Sequence, residues 1–334
     1  MDTILVLTHV DDGGQNLTKA SLEAVTAGRN LADALATTLT IGTLGSDKAD
    51  AIAATGARFL SVSGDAFSQP RYASDAAACE ALCRASQASI VLAPESPRFA
   101  RVLAGVSHRL GGFIDSHITA ITNTTTVEVT RWFYRQRMEA VLSRDTRPWF
   151  LLLDVGTHPA FAGAPSPVQV EEVSVSLPAL RTTVCGQRSP MQSAQTIRPD
   201  AKLLFVAGAG WTKKQPDGQV HISDAETTIL DFLLRSGASL GSSKSLVDQR
   251  GEDHGVLPFM THLNQIGQTG ATPRHLKGLS TCCHGEEPHV VGWRFISERR
   301  AISLDPNCGW TRGKADVVYV ADAFQVMTKV NALL

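Results

Sequence analysis

The stretch Gln265-Ile266-Gly267-Gln268-Thr269-Gly270 decides how the rest of the chain is read. Its glycines let the backbone come close to a ligand, because no Cβ stands in the way. Gln268 and Thr269 place an amide and a hydroxyl on one turn, so donors and acceptors sit side by side. On residue types alone the same stretch is also an ordinary polar surface turn. The run continues beyond the turn through Cys282-Cys283-His284-Gly285 to His289.

The chain around it has 334 residues, long enough for two domains, with 43% hydrophobic and 19% charged residues. That is the composition of an ordinary globular protein. A net charge of -1 offers no electrostatic footprint for nucleic acid or an anionic membrane. No apolar run approaches the roughly 18–20 residues needed to span a bilayer, so no membrane insertion is expected. The chain goes straight into Ile4–Leu7, with Asp2 before it, which is neither a signal peptide nor an Arg-rich transit peptide. A cytoplasmic protein is expected. Six cysteines occur without a CxxC pair, and Cys282 and Cys283 are adjacent; reduced thiols are expected rather than structural disulfides.

Upstream, short apolar runs alternate with amphipathic ones. Ile4–Leu7 reads as a strand, followed by the loop Asp11–Gly14. Ala20, Ala24, Ala27, Leu31 and Leu35 then follow at helical spacing. Leu39–Thr43 and Phe59–Val62 read as strands, 74–85 as an Ala-rich helix, and 89–94 as a strand stopped by Pro94. Phe99, Leu103, Val106 and Leu110 line a helix that ends at Gly111-Gly112. Strand–helix alternation predicts a doubly wound, mostly parallel sheet, completed by strands over 125–134 and 148–155. The N-terminal α/β domain is expected over 1–180, with a Pro-containing connector over about 156–200. A second α/β domain is expected over 201–334. It opens with the strand Leu203–Ala207 running into Gly208-Ala209-Gly210. Such a turn can aim backbone N–H groups at a phosphate at a helix start. Ile229, Leu230, Leu233 and Leu234 mark a helix that stops at Gly237.

Gln265–Gly270 resembles the flavin-contacting loop of the electron transfer flavoprotein alpha subunits, and the resemblance runs on without a gap. Gly285, His289, Gly292, Ala301 and Ile302 fall where that family has the same residues. Gly278, Cys282, His284, Pro288 and Ser303 replace its Tyr, Gly, Ser, Gln and Asn. The two-domain layout is similar too, including Gly111–Ser116, where the family has a Gly-then-Asp segment. The chain reads as a divergent member, with an N-terminal doubly wound domain and a C-terminal flavodoxin- or Rossmann-like domain that binds FAD.

The resemblance implies a set of cofactor-binding residues. Thr269 corresponds to a Thr whose hydroxyl hydrogen-bonds the flavin N5. His289 corresponds to a His near the pyrimidine end of the ring, where a donor or positive group stabilises negative charge. Ser243, in Gly241-Ser242-Ser243-Lys244, would contact a phosphate. Lys244 replaces an Arg near the ring; it keeps the charge and loses the planar fork. Gly208, Gly210, Gln265, Ile266, Gly267, Gln268, Gly270, His284, Gly285, Glu286, Glu287, Pro288, Ser303, Asp322 and Ala323 complete the set. Each has an ordinary structural alternative: Thr269 as a turn cap, His289 as a surface His, Asp316 and Asp322 as helix caps. The family's Ser-Gly-Gly-Arg-Gly turn appears here as Ala207-Gly208-Ala209-Gly210-Trp211, so its Arg is missing. Cys282, Cys283, His284, His289 and Cys308 invite a metal reading, but their spacing fits neither a zinc finger nor a ferredoxin run, and no metal is expected.

Three functional readings follow. As an electron carrier, the chain would bind one FAD and pair with a beta-type subunit. It would take electrons from a partner flavin dehydrogenase and pass them onward, a quinone reductase being one acceptor. It would do so as a redox subunit rather than a stand-alone enzyme. The departures from the pattern imply a dedicated partner, such as a complex that oxidises N-methylated amino acids or amines. As a scaffold, it would stand in a larger oxidoreductase with a vestigial or AMP-holding pocket. A stand-alone nucleotide-binding enzyme is a third reading. No Ser–His–Asp, paired-carboxylate or HExxH pattern supports hydrolysis.

Overall fold

A computed structural model describes residues 2–11, 14, 16–47, 49–123, 126–133, 138–186, 197–198, 201–248, 255–266, 275–281, 296–308 and 315–334. The chain divides into two compact units, Met1–Gln187 and Arg188–Leu334. The first contains β1 (Ile4–His9), α1 (Lys19–Ala34), β2 (Leu39–Leu44), β3 (Arg58–Val62), α2 (Asp65–Ser68) and α3 (Tyr72–Ser86). It continues with β4 (Ile90–Pro94), α4 (Pro97–Arg109), β5 (Phe113–Asn123), β6 (Val127–Phe133), β7 (Met138–Leu142), β8 (Trp149–Leu153) and β9 (Val170–Glu172). Among the described residues these strands form one sheet in the order β7-β6-β5-β8-β4-β1-β2-β3-β9.

From β5 to β9 along the sheet every pairing is parallel, while β6 and β7 extend it antiparallel. The central strands are buried on both faces, which is why Ile90–Pro94 and Trp149–Leu153 are continuous apolar runs. Alternate residues of β1 serve opposite cores. Ile4 and Val6 pack with α1, and Leu5 and Leu7 with α3 and α4. Thr18 caps α1 by accepting the Ser21 amide at 3.2 Å. Ser96 caps α4 by accepting the Phe99 amide, with Pro97 at the first helical position. Gly28 sits where α1 meets β1, and a Cβ there would lie 2.2 Å from Val6 Cγ2.

In the first unit, β5 and β7 lie outside the sequence reading. β5 carries Asp115, Ser116 and His117 in its interior, so it lacks an apolar run, and its pairing with β8 shifts register between Asp115 and Ile118. β7 is short and half exposed. The strand expected over 125–134 is β6, and it pairs antiparallel with β5 rather than joining the parallel set. The segment expected as a connector contributes β9, which pairs with β3 at the sheet edge.

Asp115 is 2% exposed and ties three elements together. It accepts hydrogen bonds from Arg144, from Arg131 (3.1 Å) and from Trp149 Nε1 (2.9 Å). Burial alone would raise its carboxyl; the Arg144 and Trp149 hydrogen bonds and the two Arg charges outweigh this and hold it below its ordinary value.

The second unit contains β10 (Leu203–Ala207), α5 (Ile222–Ser236), β11 (Ser239–Ser242), α6 (Lys244–Asp248), β12 (Lys277–Thr281), β13 (Glu298–Ser303), β14 (Val317–Val320) and α7 (Ala323–Leu333). Its described strands form a parallel sheet in the order β11-β10-β12-β13-β14. Counted within the unit this is 2-1-3-4-5, the flavodoxin-like order, with its topological switch point between β10 and β12. α5 and α7 cover one face around Phe205, Phe232 and Met327; Leu204, Val206, Ile266, Ile296 and Cys308 form the core on the other. α5 ends at Gly237 in the left-handed region (φ +64°), with its N–H on Leu233 O.

Asp115→Asn is expected to cost the first unit about 3–5 kcal/mol near neutral pH, because it breaks a buried ion-pair network. Because the folded carboxyl titrates lower than the unfolded one, this stabilisation is full above the unfolded range and fades as pH falls through the folded value. Denaturant unfolding of both proteins over an acid-to-neutral series should therefore show the gap closing only at the acid end. A second expectation concerns the thiols. Burial pushes Cys83 up to about 12 and Cys79 well above its ordinary value. Alkylation followed by peptide mass mapping should modify exposed Cys185 and spare Cys79, Cys83 and Cys308 until the chain unfolds.

Candidate functional site at the carboxyl edge of the second sheet

In an open parallel sheet, ligands bind outside the carboxyl ends of the strands, at the switch point. Here that edge is built from polar residues that the strands bury. β10 ends at Ala207, and Gly208 donates its N–H to Thr281 O at 2.9 Å, joining β10 to β12 across the switch point. Thr281, the last residue of β12, accepts from Trp211 Nε1 at 2.8 Å and donates to Val206 O at 3.2 Å. Trp211 is fully buried and its ring lies 4.5 Å from that of Phe324. The segment after β10 is a four-residue 3-10 turn, Ala209–Thr212, not the start of an α-helix; α5 begins only at Ile222. The buried indole holds the turn against the sheet.

Next to it, β11 ends at Ser242, whose Oγ is buried with no hydrogen-bond partner. Ser243 donates its N–H to Ala207 O at 2.9 Å, and its hydroxyl accepts the Leu246 amide, starting α6. Lys244 is half exposed and pairs with Asp248 at 3.4 Å. Ser242 also bridges to Gln265, and Ile266 N donates to Ser242 O at 3.1 Å. Gln265 and Ile266 are thus laid against the end of β11 and are buried there. Gly241 permits that approach, since a Cβ on it would lie 3.1 Å from Ile266 Cγ2.

On the other side of the switch point, Ser303 ends β13, is 1% exposed and exchanges hydrogen bonds with the Asp305 backbone. Asp322 follows β14 and caps α7, accepting the Gln325 amide at 3.0 Å, with Ala323 as the first helical residue. Gln215, Ser303, Asp322 and Phe324 line a small cleft on this edge. Asp316 caps no helix. The Arg299 side chain and amide hydrogen-bond its carboxylate and hold it below its ordinary value.

The structure therefore brings Gly208, Gly210, Ser243, Lys244, Gln265, Ile266, Ser303, Asp322 and Ala323 to the carboxyl ends of β10, β11, β13 and β14. Gly267, Gln268, Thr269, Gly270, His284, Gly285, Glu286, Glu287, Pro288 and His289 lie outside the described residues, as do Cys282 and Cys283. Thr281, Trp211 and Ser242 belong to the same edge and were not read from the sequence. Thr281 and Trp211 are 70 residues apart, and no local pattern announces such a contact.

Fold and edge together define a two-unit α/β protein with a flavodoxin-like second sheet whose switch point carries buried hydroxyls. A model of the electron transfer flavoprotein domain matches residues 6–178. The chain belongs to the electron transfer flavoprotein family. The match lies within the first unit, so it is independent of the residues on the second unit's edge. No curated protein matches the chain. Among the described residues no helix is long and apolar enough to cross a membrane.

Thr281→Val keeps the shape of the side chain and leaves the Trp211 N–H buried without an acceptor. The expected cost is about 1–3 kcal/mol. It should appear as faster hydrogen exchange of the 203–212 amides; unchanged protection would mean that the bond does not hold the turn.

Proposed function

We propose that this chain is the FAD-binding, alpha-type subunit of an electron transfer flavoprotein. It pairs with a beta-type subunit, accepts electrons from a partner flavin dehydrogenase and passes them onward, with a quinone reductase as downstream acceptor. Its setting is the cytoplasm. Its departures from the family pattern favour a dedicated partner of the kind that oxidises N-methylated amino acids or amines. The observation that carries this reading is convergence. Residues scattered from Gly208 to Ala323 end on one edge of a flavodoxin-like sheet, around its switch point.

The residues present fit a large polar cofactor. Ser242 Oγ is buried there without a partner, and an unsatisfied buried hydroxyl costs about 1–3 kcal/mol unless something bonds it. When bound, the flavin supplies the electron chemistry, and the chain's residues bind it, orient it and tune its potential. Ser243 serves a phosphate and Lys244 supplies positive charge near the ring. Thr269 offers a hydrogen bond at N5, and His289 a donor at the pyrimidine end. Gly208, Gly210, Gln265, Ile266, Gly267, Gln268, Gly270, His284, Gly285, Glu286, Glu287, Pro288, Ser303, Asp322 and Ala323 complete the binding surface.

A second reading, a scaffold with a vestigial or AMP-holding pocket, is favoured by Gly210 and Ser303, which stand where the family has Arg and Asn. Co-expression with a beta-type chain separates the two. The carrier predicts a yellow complex with about one FAD per chain, reducible stepwise; a colourless, stable assembly, or one holding AMP alone, rejects it. Within the carrier reading, Thr269→Val should leave the far-ultraviolet dichroism intact and shift the flavin potential. The change should correspond to a hydrogen bond of about 1 kcal/mol. An unchanged potential would remove Thr269 from the site.

A further inference from the structure

The first unit carries a second constellation at the carboxyl edge of its own sheet. β5, β8 and β4 are adjacent and parallel there. Glu95 immediately follows β4, Asp154 immediately follows β8, and His117 sits in the irregular part of β5. Backbone hydrogen bonds set the three in one row: Glu95 N donates to Leu153 O at 2.8 Å, and Asp154 N to Ile118 O at 2.9 Å. His117 adopts a left-handed backbone (φ +58°) within the register shift between Asp115 and Ile118. Its Nδ1 lies 3.2 Å from Glu95 Oε2 and 3.7 Å from Asp154 Oδ1. Its amide donates to Glu95 Oε2 at 2.6 Å and fixes that carboxylate.

One nitrogen and two carboxylate donors, from three neighbouring strands, lie within 4.8 Å of one another. This is a mixed donor set, not a patch of acids. Tetrahedral bonds of about 2.0–2.2 Å hold neighbouring donor atoms roughly 3.3–3.6 Å apart. The two imidazole–carboxylate separations bracket that range, so the imidazole needs to move only a few tenths of an ångström to share an ion with either carboxylate. Imidazole with carboxylate suits zinc-like transition ions, whereas calcium and magnesium favour all-oxygen shells. The carboxylate side chains are 15% and 16% exposed and the imidazole 52%, so an ion has a way in and a ligand position is left for water.

We propose that Glu95, His117 and Asp154 form a binding site for one divalent transition-metal ion of the zinc type, at the carboxyl ends of β4, β5 and β8. It clamps these three strand ends of the first unit.

The test uses the full chain, reduced and freed of metal by chelation, titrated with Co2+ as the probe. The visible bands of bound Co2+ distinguish nitrogen–oxygen ligands from thiolates. The expected result is one equivalent with nitrogen–oxygen bands and a raised thermal transition of the first unit. Glu95→Gln keeps the side-chain shape, and His117→Asn tolerates the left-handed backbone. Each should weaken binding by at least about tenfold with the dichroism spectrum unchanged. If one variant fails to fold, the other and Asp154→Asn still decide. Absent binding, purely thiolate bands, or an affinity that none of the folded variants changes would overturn the proposal.

Discussion

Parallel pairing is the constraint on which the rest of the structure depends. When strands run the same way, all their carboxyl ends open on one edge, and helices must return across both faces. The faces are then committed to packing. Each fully buried Leu, Ile or Phe contributes about 1.5–3 kcal/mol, so a polar side chain in a strand interior loses that and adds a desolvation cost. The carboxyl edge is free of this demand. Ser242, Ser243, Thr281 and Ser303 in the second unit, and Glu95 and Asp154 in the first, stand at such ends. Chemistry collects at edges because the interior leaves polar groups no other place.

The exceptions follow the same rule. Asp115 lies inside β5, and three donors surround it, Arg131, Arg144 and Trp149. A buried carboxylate is tolerated only with such company. Two residues on, the strand departs from regular pairing, and His117 takes a backbone conformation that a β-sheet does not use. The irregularity that Asp115 and its partners anchor is thus what turns an imidazole toward Glu95 and Asp154.

Legibility in the sequence tracked how local each determinant is. β1, β4 and β8 are readable because strands buried on both faces need continuous apolar residues. α1 and α4 are readable from their periodicity, and the end of α4 from Gly111-Gly112. β5 is not, since Asp115, Ser116 and His117 interrupt it for reasons that lie in other strands. β7 is not, since its half-exposed residues carry no strong pattern. The same division runs through the site. Ser243, Gln265 and Asp322 belong to short segments that a resemblance can carry. Ser242, Thr281 and Trp211 acquire meaning only when β10, β11 and β12 are side by side.

The exit of β10 shows how one substitution redistributes work among the others. A glycine-rich turn at a helix start binds phosphate through free amide hydrogens. Here the Gly208 amide already bonds Thr281 O, and Trp211 takes the place of a glycine in the family's turn, its indole buried and bonded to Thr281. Moving the turn would mean withdrawing a buried Trp, at a cost of several kcal/mol. The turn is therefore a fixed wall of the edge and not a pliable cradle. The side chains of Ser242, Ser243 and Ser303, all buried, stand beside this wall at the neighbouring strand ends.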